Sequence, residues 1–313
     1  MFAARCIGIS LAVFVLLYVP ISIAVSRAWK LLWQFMKPGS ARGSANFLFV
    51  LRALPFAVAS IFTVVFTLPS FLLLEPRSTD EAVGRAPVFL GLCCLTLLLG
   101  GAVRMVSAQI KTSRALMKWL DGSEPMDSCV AVPVFRTGKH SPSLTVAGVR
   151  DPKVLVSEAA VAALTAPELR TALKHEMAHV RYYDNLKKLL FRFAAFPGMA
   201  ALERAWSEQS EFAADDAAVS CFRDALDLAA ALIKVSRLCV VQTPALVTTG
   251  LLHSSTALST RVQRLCSWEE NQSTELRVRW WYALPATAVF LCVVATYSSA
   301  LSSLHAATEW LVR

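Results

Sequence analysis

The chain has 313 residues, of which 56% are hydrophobic and only 17% are charged, and its mean hydropathy is +0.52. This composition is too apolar for an ordinary soluble domain, so segments that cross a lipid bilayer are expected. The net charge of +9 comes from basic residues clustered beside the apolar runs, which predicts contact with membrane lipid and no direct nucleic-acid binding, since no nucleic-acid reading module accompanies them.

Four apolar runs are long enough to span a bilayer, which takes about 20 residues. They cover approximately residues 6–26, 53–74, 86–103 and 281–304. The first run could instead be a signal peptide, but its length and the lack of a clear small-residue cleavage site after it favour a membrane anchor. The sequence therefore predicts three transmembrane helices, a long inserted segment, a fourth transmembrane helix and a short outer tail at 305–313.

Basic residues between the spans predict the orientation, because cytoplasmic loops hold the excess of Lys and Arg. The connection at 27–42 contains four basic residues and no acidic residue, whereas the connection at 75–85 contains two basic and three acidic residues. The first connection is therefore expected inside the cell. By alternation, the inserted domain at 104–280 is expected in the cytoplasm as well.

Within the inserted domain, three short apolar stretches at 130–135, 144–147 and 154–156 predict β-strands, because turn residues separate them. An exposed strand could bind a peptide substrate in extended form along the edge of the sheet. The alternative is a small structural sheet that covers a helix. A short helix or helical turn is expected next, at 157–164.

The most informative residues of the chain lie in the following stretch, 165–190, which is predicted to be a helix that starts with a capping box at Thr165. His175 and His179 are four residues apart, so on a helix both project from one face and can bind one metal ion, with Glu176 beside them. This spacing suits zinc. A pair of solvated or core histidines is the alternative.

A zinc ion held by two histidines in a catalytic site needs a third protein ligand and keeps one position open for water. The alanine-rich stretch 203–218 is helix-prone and places Glu208, Glu211 and Asp215 on one arc of the helix. Glu211 is the predicted third ligand, and Asp215 is predicted to hold a histidine in place. The alternative is a helix face that points into water.

The residues around this motif resemble the cytoplasmic zinc-protease domain of bacterial beta-lactam sensor-transducers, the antirepressor metallopeptidases of BlaR/MecR type. The resemblance covers about residues 85–305 and rests on the stretches 154–157, 167–169, 173–181 and 184–186. It implies a membrane protein, mainly α, in which four transmembrane helices carry an inserted α+β zincin-like (gluzincin) metalloprotease domain. It also implies a bacterial inner (cytoplasmic) membrane.

The resemblance extends to further candidate site residues. Glu211 and Asp215 match the family's Glu-x-x-x-Asp element, whose glutamate is the third zinc ligand. Asp184 matches a pattern shared with the related HtpX and CaaX-processing membrane proteases, and is expected to support the ligands. Those relatives also place a His-Pro element and an arginine near the end of the domain, which His253 and Arg261 resemble only loosely, as does Arg264.

One departure from the family concerns sensing. The beta-lactam sensors carry an extracellular penicillin-binding domain after the fourth span, whereas this sequence ends at Arg313. Direct sensing of beta-lactams through such a domain is therefore not expected.

The predicted function is that of a membrane-anchored zinc endopeptidase acting on a cytoplasmic or membrane-proximal protein, with Glu176 as general base. His253 and Tyr183 are the candidate donors to the oxyanion, and Tyr182 and Arg261 are further candidates. The resemblance implies regulatory proteolysis, with a transcriptional repressor among the candidate substrates. An HtpX-like quality-control protease and a catalytically silent membrane signalling protein are the alternatives.

Overall fold

The computed structural model describes residues 2–35, 39–75, 84–127, 130–138, 141–238, 248–250, 255–269 and 296–308. Over these ranges the protein is mostly helical and contains one small β-sheet. Three of the described helical segments are long and apolar enough to cross a membrane.

The three candidate spans contain the first three predicted ones and extend beyond them. They are α1 (Phe2–Phe35), a continuous helical segment over Ala41–Leu74, and α4 (Arg85–Leu120). The second segment consists of α2 (Ala41–Phe62), a π-helical turn (Thr63–Thr67) and α3 (Leu68–Leu74). The π-helical turn lies just before Pro69, which has no N–H to donate, and such local adjustments commonly accommodate proline in membrane helices.

The predicted fourth span at 281–304 falls largely outside the described residues, which resume at 296 with α11 (296–308). This helix contacts the second candidate span. The Ser70 hydroxyl donates to the carbonyl oxygen of Leu301 at 3.0 Å, and the Tyr297 hydroxyl donates to that of Val65 at 2.7 Å. The described part of the predicted fourth span is therefore helical and packs against the second candidate span.

The sheet has the strand order β1-β2-β4-β3-β5, with β2 and β4 parallel and the other pairs antiparallel. Its strands are β1 (Glu124–Met126), β2 (Val134–Thr137), β3 (Leu144–Ala147), β4 (Lys153–Ser157) and β5 (Thr248–Gly250). The predicted strands at 144–147 and 154–156 are confirmed.

The predicted strand at 130–135 is wrong in its position, because the strand begins only at Val134. Pro133 interrupts the apolar run and cannot donate to a strand ladder, although its carbonyl oxygen accepts from the N–H of Val154 at 3.1 Å. No sequence pattern predicted β1 or β5. Both are three residues long and depend on pairing with a neighbouring strand, so neither has an alternating pattern of its own.

Six further helices complete the described domain: α5 (Glu158–Ala163), α6 (Ala166–Arg181), α7 (Asp184–Phe193), α8 (Ala200–Ala218), α9 (Phe222–Leu238) and α10 (Ser255–Cys266). The prediction of one helix over 165–190 is wrong. The helix ends at Arg181, and Tyr183 adopts a left-handed backbone conformation with φ 55° and ψ 36° before α7 begins. Neither glycine nor proline marks this break, which is why the helical pattern concealed it.

Two of the four hydrophobic clusters in the described residues position the site. The first joins the sheet to α6, α9 and neighbouring helices, and includes Val146, Val156, Leu173, Leu228 and Leu232. The second joins the apolar helices α1 and α2 to α7 and α8, and includes Val25, Leu48, Leu51, Phe191, Leu202 and Trp206. The domain is therefore packed directly onto the candidate membrane helices through α7 and α8.

Candidate metal centre

The start of α6 is fixed by the predicted capping box. The backbone N–H of Thr165 donates to the Glu168 carboxylate at 2.8 Å, and the Thr165 hydroxyl oxygen accepts from the backbone N–H of Glu168. Lys234 of α9 donates to both carboxylate oxygens of Glu168 at 2.7 and 2.8 Å. Burial alone would raise the pKa of Glu168, but the bonds from Lys234 and Thr165 outweigh it and lower the pKa. The helix is thus held at its first turn.

Three buried side chains meet where α6 crosses α8. The Nε2 atoms of His175 and His179 are 3.2 Å apart, and Glu211 approaches them at 3.5 Å and 3.7 Å respectively. Ligand atoms bound tetrahedrally at 2.0–2.1 Å from a zinc ion lie about 3.3 Å from one another. These three groups could therefore hold a metal ion.

Two aspartates orient the histidine rings. Asp215 lies 3.0 Å from Nδ1 of His175, and Asp184 lies 2.7 Å from Nδ1 of His179. Asp184 can accept the Nδ1–H of His179, and Asp215 is in ionic contact with Nδ1 of His175, which leaves the Nε2 lone pairs directed at one another. Two such lone pairs at 3.2 Å repel unless a proton or a cation lies between them, and this donor set therefore fits a bound cation.

The carboxylates around the two histidines stabilise positive charge on the imidazole rings. Burial opposes protonation of His179, but the nearby carboxylates of Glu211 and Asp184 outweigh it and raise the pKa of His179 to about 10. The same balance, with Asp215 and Glu211 as partners, raises the pKa of His175. A metal ion would supply this positive charge in place of protons.

Arg261 of α10 is buried beside the carboxylates, a position that the sequence indicated only loosely. It donates to both oxygens of Asp215 at 2.6 and 2.8 Å, and its Nη1 lies 3.1 Å from Glu211. Burial would raise the pKa of Asp215, but Arg261 reverses this and lowers it to about 2. The pKa of Glu211 is held well below its usual value, since the charges of His179 and Arg261 outweigh burial.

Glu176 is fully buried beside the ligands. Within the described part of the chain, neither of its carboxylate oxygens has a hydrogen-bond partner. Burial raises the pKa of Glu176 above that of an exposed glutamate. A buried carboxylate without a protein partner is unusual, and such a group is available to a water molecule or a substrate.

The remaining predicted residues have different surroundings. Glu208 is exposed, so the water-facing alternative is correct for this position of α8. Tyr183 is 68% exposed at the turn between α6 and α7, and the Tyr182 ring lies 3.6 Å below the Arg42 guanidinium. His253 lies outside the described residues. Of the residues considered as oxyanion donors, only Arg261 has a contact with the metal-binding group in the described structure.

Lys188 of α7 is a charged group that the sequence analysis did not single out. Burial lowers its pKa, while the charges of Glu211, Asp184 and Glu176 act in the opposite direction. Its position one helical turn after Asp184 was the available signal, because residues four apart share a helix face. With one continuous helix predicted over 165–190, the face shared by Asp184 and Lys188 was expected to point in another direction. The break at Tyr183 turns this face towards the site.

The fold and the site together define a mainly helical protein with three helices able to span a membrane and a buried His-His-Glu group able to hold a metal ion. No protein-family model matches the chain, and no curated protein matches it.

Proposed function

We propose that the protein is a membrane-anchored zinc endopeptidase that hydrolyses peptide bonds of a cytoplasmic or membrane-proximal protein. The observation that carries this proposal is the buried group of His175, His179 and Glu211 with the carboxylate of Glu176 beside it, which has no hydrogen-bond partner among the described residues. Structural zinc sites are usually closed by four protein ligands, whereas catalytic sites use three and keep one position open. Among the described residues, three candidate protein ligands and a buried carboxylate beside them favour catalysis.

The chemistry divides between the metal and the protein. A zinc ion held by His175, His179 and Glu211 would act as a Lewis acid and would lower the pKa of a bound water molecule towards about 7. Glu176 accepts a proton as the water oxygen attacks the carbonyl carbon of the peptide, and it passes that proton to the amine nitrogen as the C–N bond breaks. Its raised pKa makes Glu176 a stronger base than an exposed glutamate.

The surrounding residues keep the site in the state that this chemistry needs. Asp184 and Asp215 orient the imidazole rings, so that both Nε2 atoms face the metal position. Arg261 neutralises two buried carboxylates and lies next to the metal-binding group, where a guanidinium can also donate to a developing oxyanion.

The proposed location is the bacterial inner (cytoplasmic) membrane, with the protease domain in the cytoplasm. The contact of Arg42 with Tyr182 supports this side, since it places the basic end of α2 next to the inserted domain. Loops rich in Lys and Arg remain in the cytoplasm, and the domain would then lie on the same side. Regulatory cleavage, with a transcriptional repressor among the candidate substrates, is the form of proteolysis that we propose.

The direct test compares purified wild-type protein with Glu176→Gln in lipid nanodiscs, using an unfolded protein as substrate. We expect the wild type to cleave it in a zinc-dependent manner, and Glu176→Gln to bind one zinc ion and lose cleavage by at least about 100-fold. Glu208→Gln is the matched control, because this glutamate is exposed. Cleavage by Glu176→Gln at the wild-type rate would contradict the proposed mechanism.

A comparison of cleaved proteins in cells distinguishes the substrate classes. Cells with the wild type and cells with Glu176→Gln are analysed for new protein N-termini. Cleavage of one repressor supports the regulatory function, whereas cleavage of many damaged membrane proteins would contradict it and indicate quality control. An absence of any difference between the two strains would instead support a catalytically silent protein.

A further inference from the structure

The turn between α7 and α8 is apolar. It covers residues 194–199, which form no helix or strand, and it lies within an uncharged stretch of ten residues between Arg192 and Glu203. That stretch reads Phe-Ala-Ala-Phe-Pro-Gly-Met-Ala-Ala-Leu. An apolar segment of about 10–14 residues is too short to cross a bilayer and is typical of a buried or re-entrant segment. The turn is therefore a candidate for contact with the membrane.

Three arginines indicate where the candidate spans leave the hydrocarbon on the side of the inserted domain. Arg27 and Arg104 directly follow the first and third apolar runs, and both are exposed. Arg52 directly precedes the second run and is paired with Glu203 of α8 at 2.8 Å. Because an exposed charge is costly within the hydrocarbon, the bilayer begins on the span side of these arginines.

The end of α7 contacts two spans on the bilayer side of the arginines. A Cβ at Gly101, three residues before Arg104, would overlap the carbonyl oxygen of Phe193. The Phe193 ring packs edge-on against the ring of Phe56, four residues after Arg52, with the ring centroids 5.4 Å apart. At a rise of about 1.5 Å per residue, these two contacts lie about 5–6 Å inside the level of the arginines.

Tyr18 of α1 contacts the same turn from further inside the bilayer. It lies nine residues before the arginine that ends the first span, about 14 Å along the helix. Its ring centroid is 5.7 Å from that of Phe196, and its hydroxyl donates to the carbonyl oxygen of Ala194 at 3.0 Å. At Gly198 the chain is back at the level of Ser26, since a Cβ on Gly198 would lie 3.6 Å from that side chain. The chain thus passes the level of the arginines and returns to it.

Backbone carbonyl groups of the turn have partners within the protein. Arg52 donates to the carbonyl oxygens of Phe191 at 3.3 Å and Ala194 at 2.9 Å. The N–H of Met199 donates to the carbonyl oxygen of Phe196 at 3.3 Å. Irregular backbone at membrane depth is tolerated where such partners replace water, so these bonds permit the turn to lie within the hydrocarbon.

Part of the turn is open to its surroundings. Pro197 and Gly198 are exposed, and Ala195 is half-buried. At a similar depth, Ile23 of α1 and Leu99 of α4 are 47% and 56% exposed, four and five residues inside the arginines that end their spans. Apolar side chains exposed at this depth of a membrane protein contact lipid acyl chains, and the open part of the turn has the same surroundings.

We propose that the α7–α8 turn is a re-entrant element, inserted into the bilayer leaflet nearest the domain and in contact with lipid acyl chains through Ala195, Pro197 and Gly198. The inserted domain then has a membrane contact of its own in addition to the spans. Asp184 and Glu211 lie about 14 Å and 18 Å from the turn along α7 and α8, so the turn sets the height of the metal position above the bilayer. This inference does not depend on peptidase activity.

The test places a fluorescent coumarin amino acid at position 195 of the full-length protein in nanodiscs. Quenching is measured with lipids brominated near the headgroup end of their acyl chains, and separately with aqueous iodide. The same label at Leu99 is the lipid control, because this residue is exposed at the same depth. A label at Glu124 is the aqueous control, since this side chain is 71% exposed in β1, beyond the end of α4.

We expect the label at 195 to lose as large a share of its fluorescence to brominated lipid as the label at Leu99, and to be as well protected from iodide. The label at Glu124 should show the opposite pattern. Thermal unfolding identifies labelled proteins that have lost their fold, and a label at Pro197 provides the same comparison if the label at 195 unfolds the protein. Quenching by iodide but not by lipid would place the turn in water and overturn the proposal. Protection from both quenchers would show that protein covers the turn, which also contradicts lipid contact.

Discussion

The two histidines and the glutamate of the candidate metal centre are held by different parts of the molecule. The histidines are on α6, which packs into the cluster formed by the sheet and α9. Glu211 is on α8, whose apolar residues pack against α1 and α2. The metal position therefore lies between a half supported by the sheet and a half supported by the candidate membrane helices.

Buried polar contacts hold the half of the site that packs against the candidate membrane helices. Arg52 of α2 is only 2% exposed and binds Glu203 of α8 at 2.8 Å, and it also donates to the carbonyl oxygen of Ala194 at 2.9 Å. The Tyr18 hydroxyl of α1 donates to the same carbonyl at 3.0 Å. A Cβ at Gly101 of α4 would overlap the carbonyl oxygen of Phe193, so only glycine permits this approach. The end of α7 is thus enclosed by three apolar helices.

The geometry of the site therefore depends on two packing interfaces at once. Displacement of α2 would move Glu211 through α8, while the histidines would stay with the sheet. A bound metal would join the halves, because ligands from both must reach one ion.

The largest effect is expected on zinc affinity when a single metal ligand is removed, and it can be tested with one ligand from each half. His179→Ala and Glu211→Ala should both lower zinc affinity by at least about 100-fold, because each leaves two of three protein ligands. Zinc content and affinity, measured by mass spectrometry and competition with a chelator, test this. Glu208→Ala on the exposed face of α8 should bind zinc normally, and normal binding by Glu211→Ala would show that α8 supplies no ligand.

The next largest effect is expected at Arg261, which lies between the two halves. Arg261→Met leaves Asp215 and Glu211 buried without their counter-charge, which should lower the free energy of unfolding by about 3–5 kcal/mol. Thermal unfolding of the metal-free protein measures the change. The control is Arg264→Met on the same helix, whose partially exposed pair with Asp216 should contribute about 0–1 kcal/mol. Equal losses of unfolding free energy in the two variants would contradict the role of Arg261 as the buried counter-charge of Asp215 and Glu211.

Removal of the metal should loosen the connection between the halves. At free zinc about 100 times above the dissociation constant, binding stabilises the folded state by about 2.7 kcal/mol, which a chelator removes. Hydrogen exchange should then increase in α6 near His175 and in α8 near Glu211, while β4 stays protected. A uniform increase over the sheet as well would show that the two halves do not respond separately.

The smallest effect is expected at Arg52, remote from the metal ligands. Arg52→Ala removes the bonds to Glu203 and Ala194 and should lower the free energy of unfolding by about 1–3 kcal/mol. Zinc should dissociate faster, because α8 loses an attachment to α2. Arg136→Ala, which removes an exposed pair with Glu124 at the sheet, is the control and should change neither quantity measurably. An unchanged rate of zinc dissociation in Arg52→Ala would show that the attachment of α8 to α2 does not influence the metal site.

The sequence predicted those parts of the site that depend on neighbours along the chain. Two histidines four residues apart share a helix face by geometry alone, and the capping box at Thr165 is a local interaction, so both could be read directly. Glu211 was predicted by its acidic, alanine-rich surroundings, and the structure brings it to the histidines.

The sequence could not predict features that depend on distant contacts. The left-handed Tyr183, which ends α6 and turns Asp184 towards His179, has no glycine or proline to indicate it. The exposed position of Glu208, on the same arc as Glu211, is set by which face of α8 packs inward. Only the packed structure distinguishes the two glutamates.

Composition and residues within a few positions of one another are enough to predict three apolar helices long enough to cross a membrane, the pair of histidines on one helix face and the capped first turn of that helix. The pairing of Arg261 with Asp215 and Glu211, and the support of the site by both the sheet and the candidate membrane helices, appear only in the folded structure. The physical reason is that buried charges and cavities are defined by neighbours that are close in space and far apart in sequence. The energies of such contacts depend on burial, which no local pattern contains.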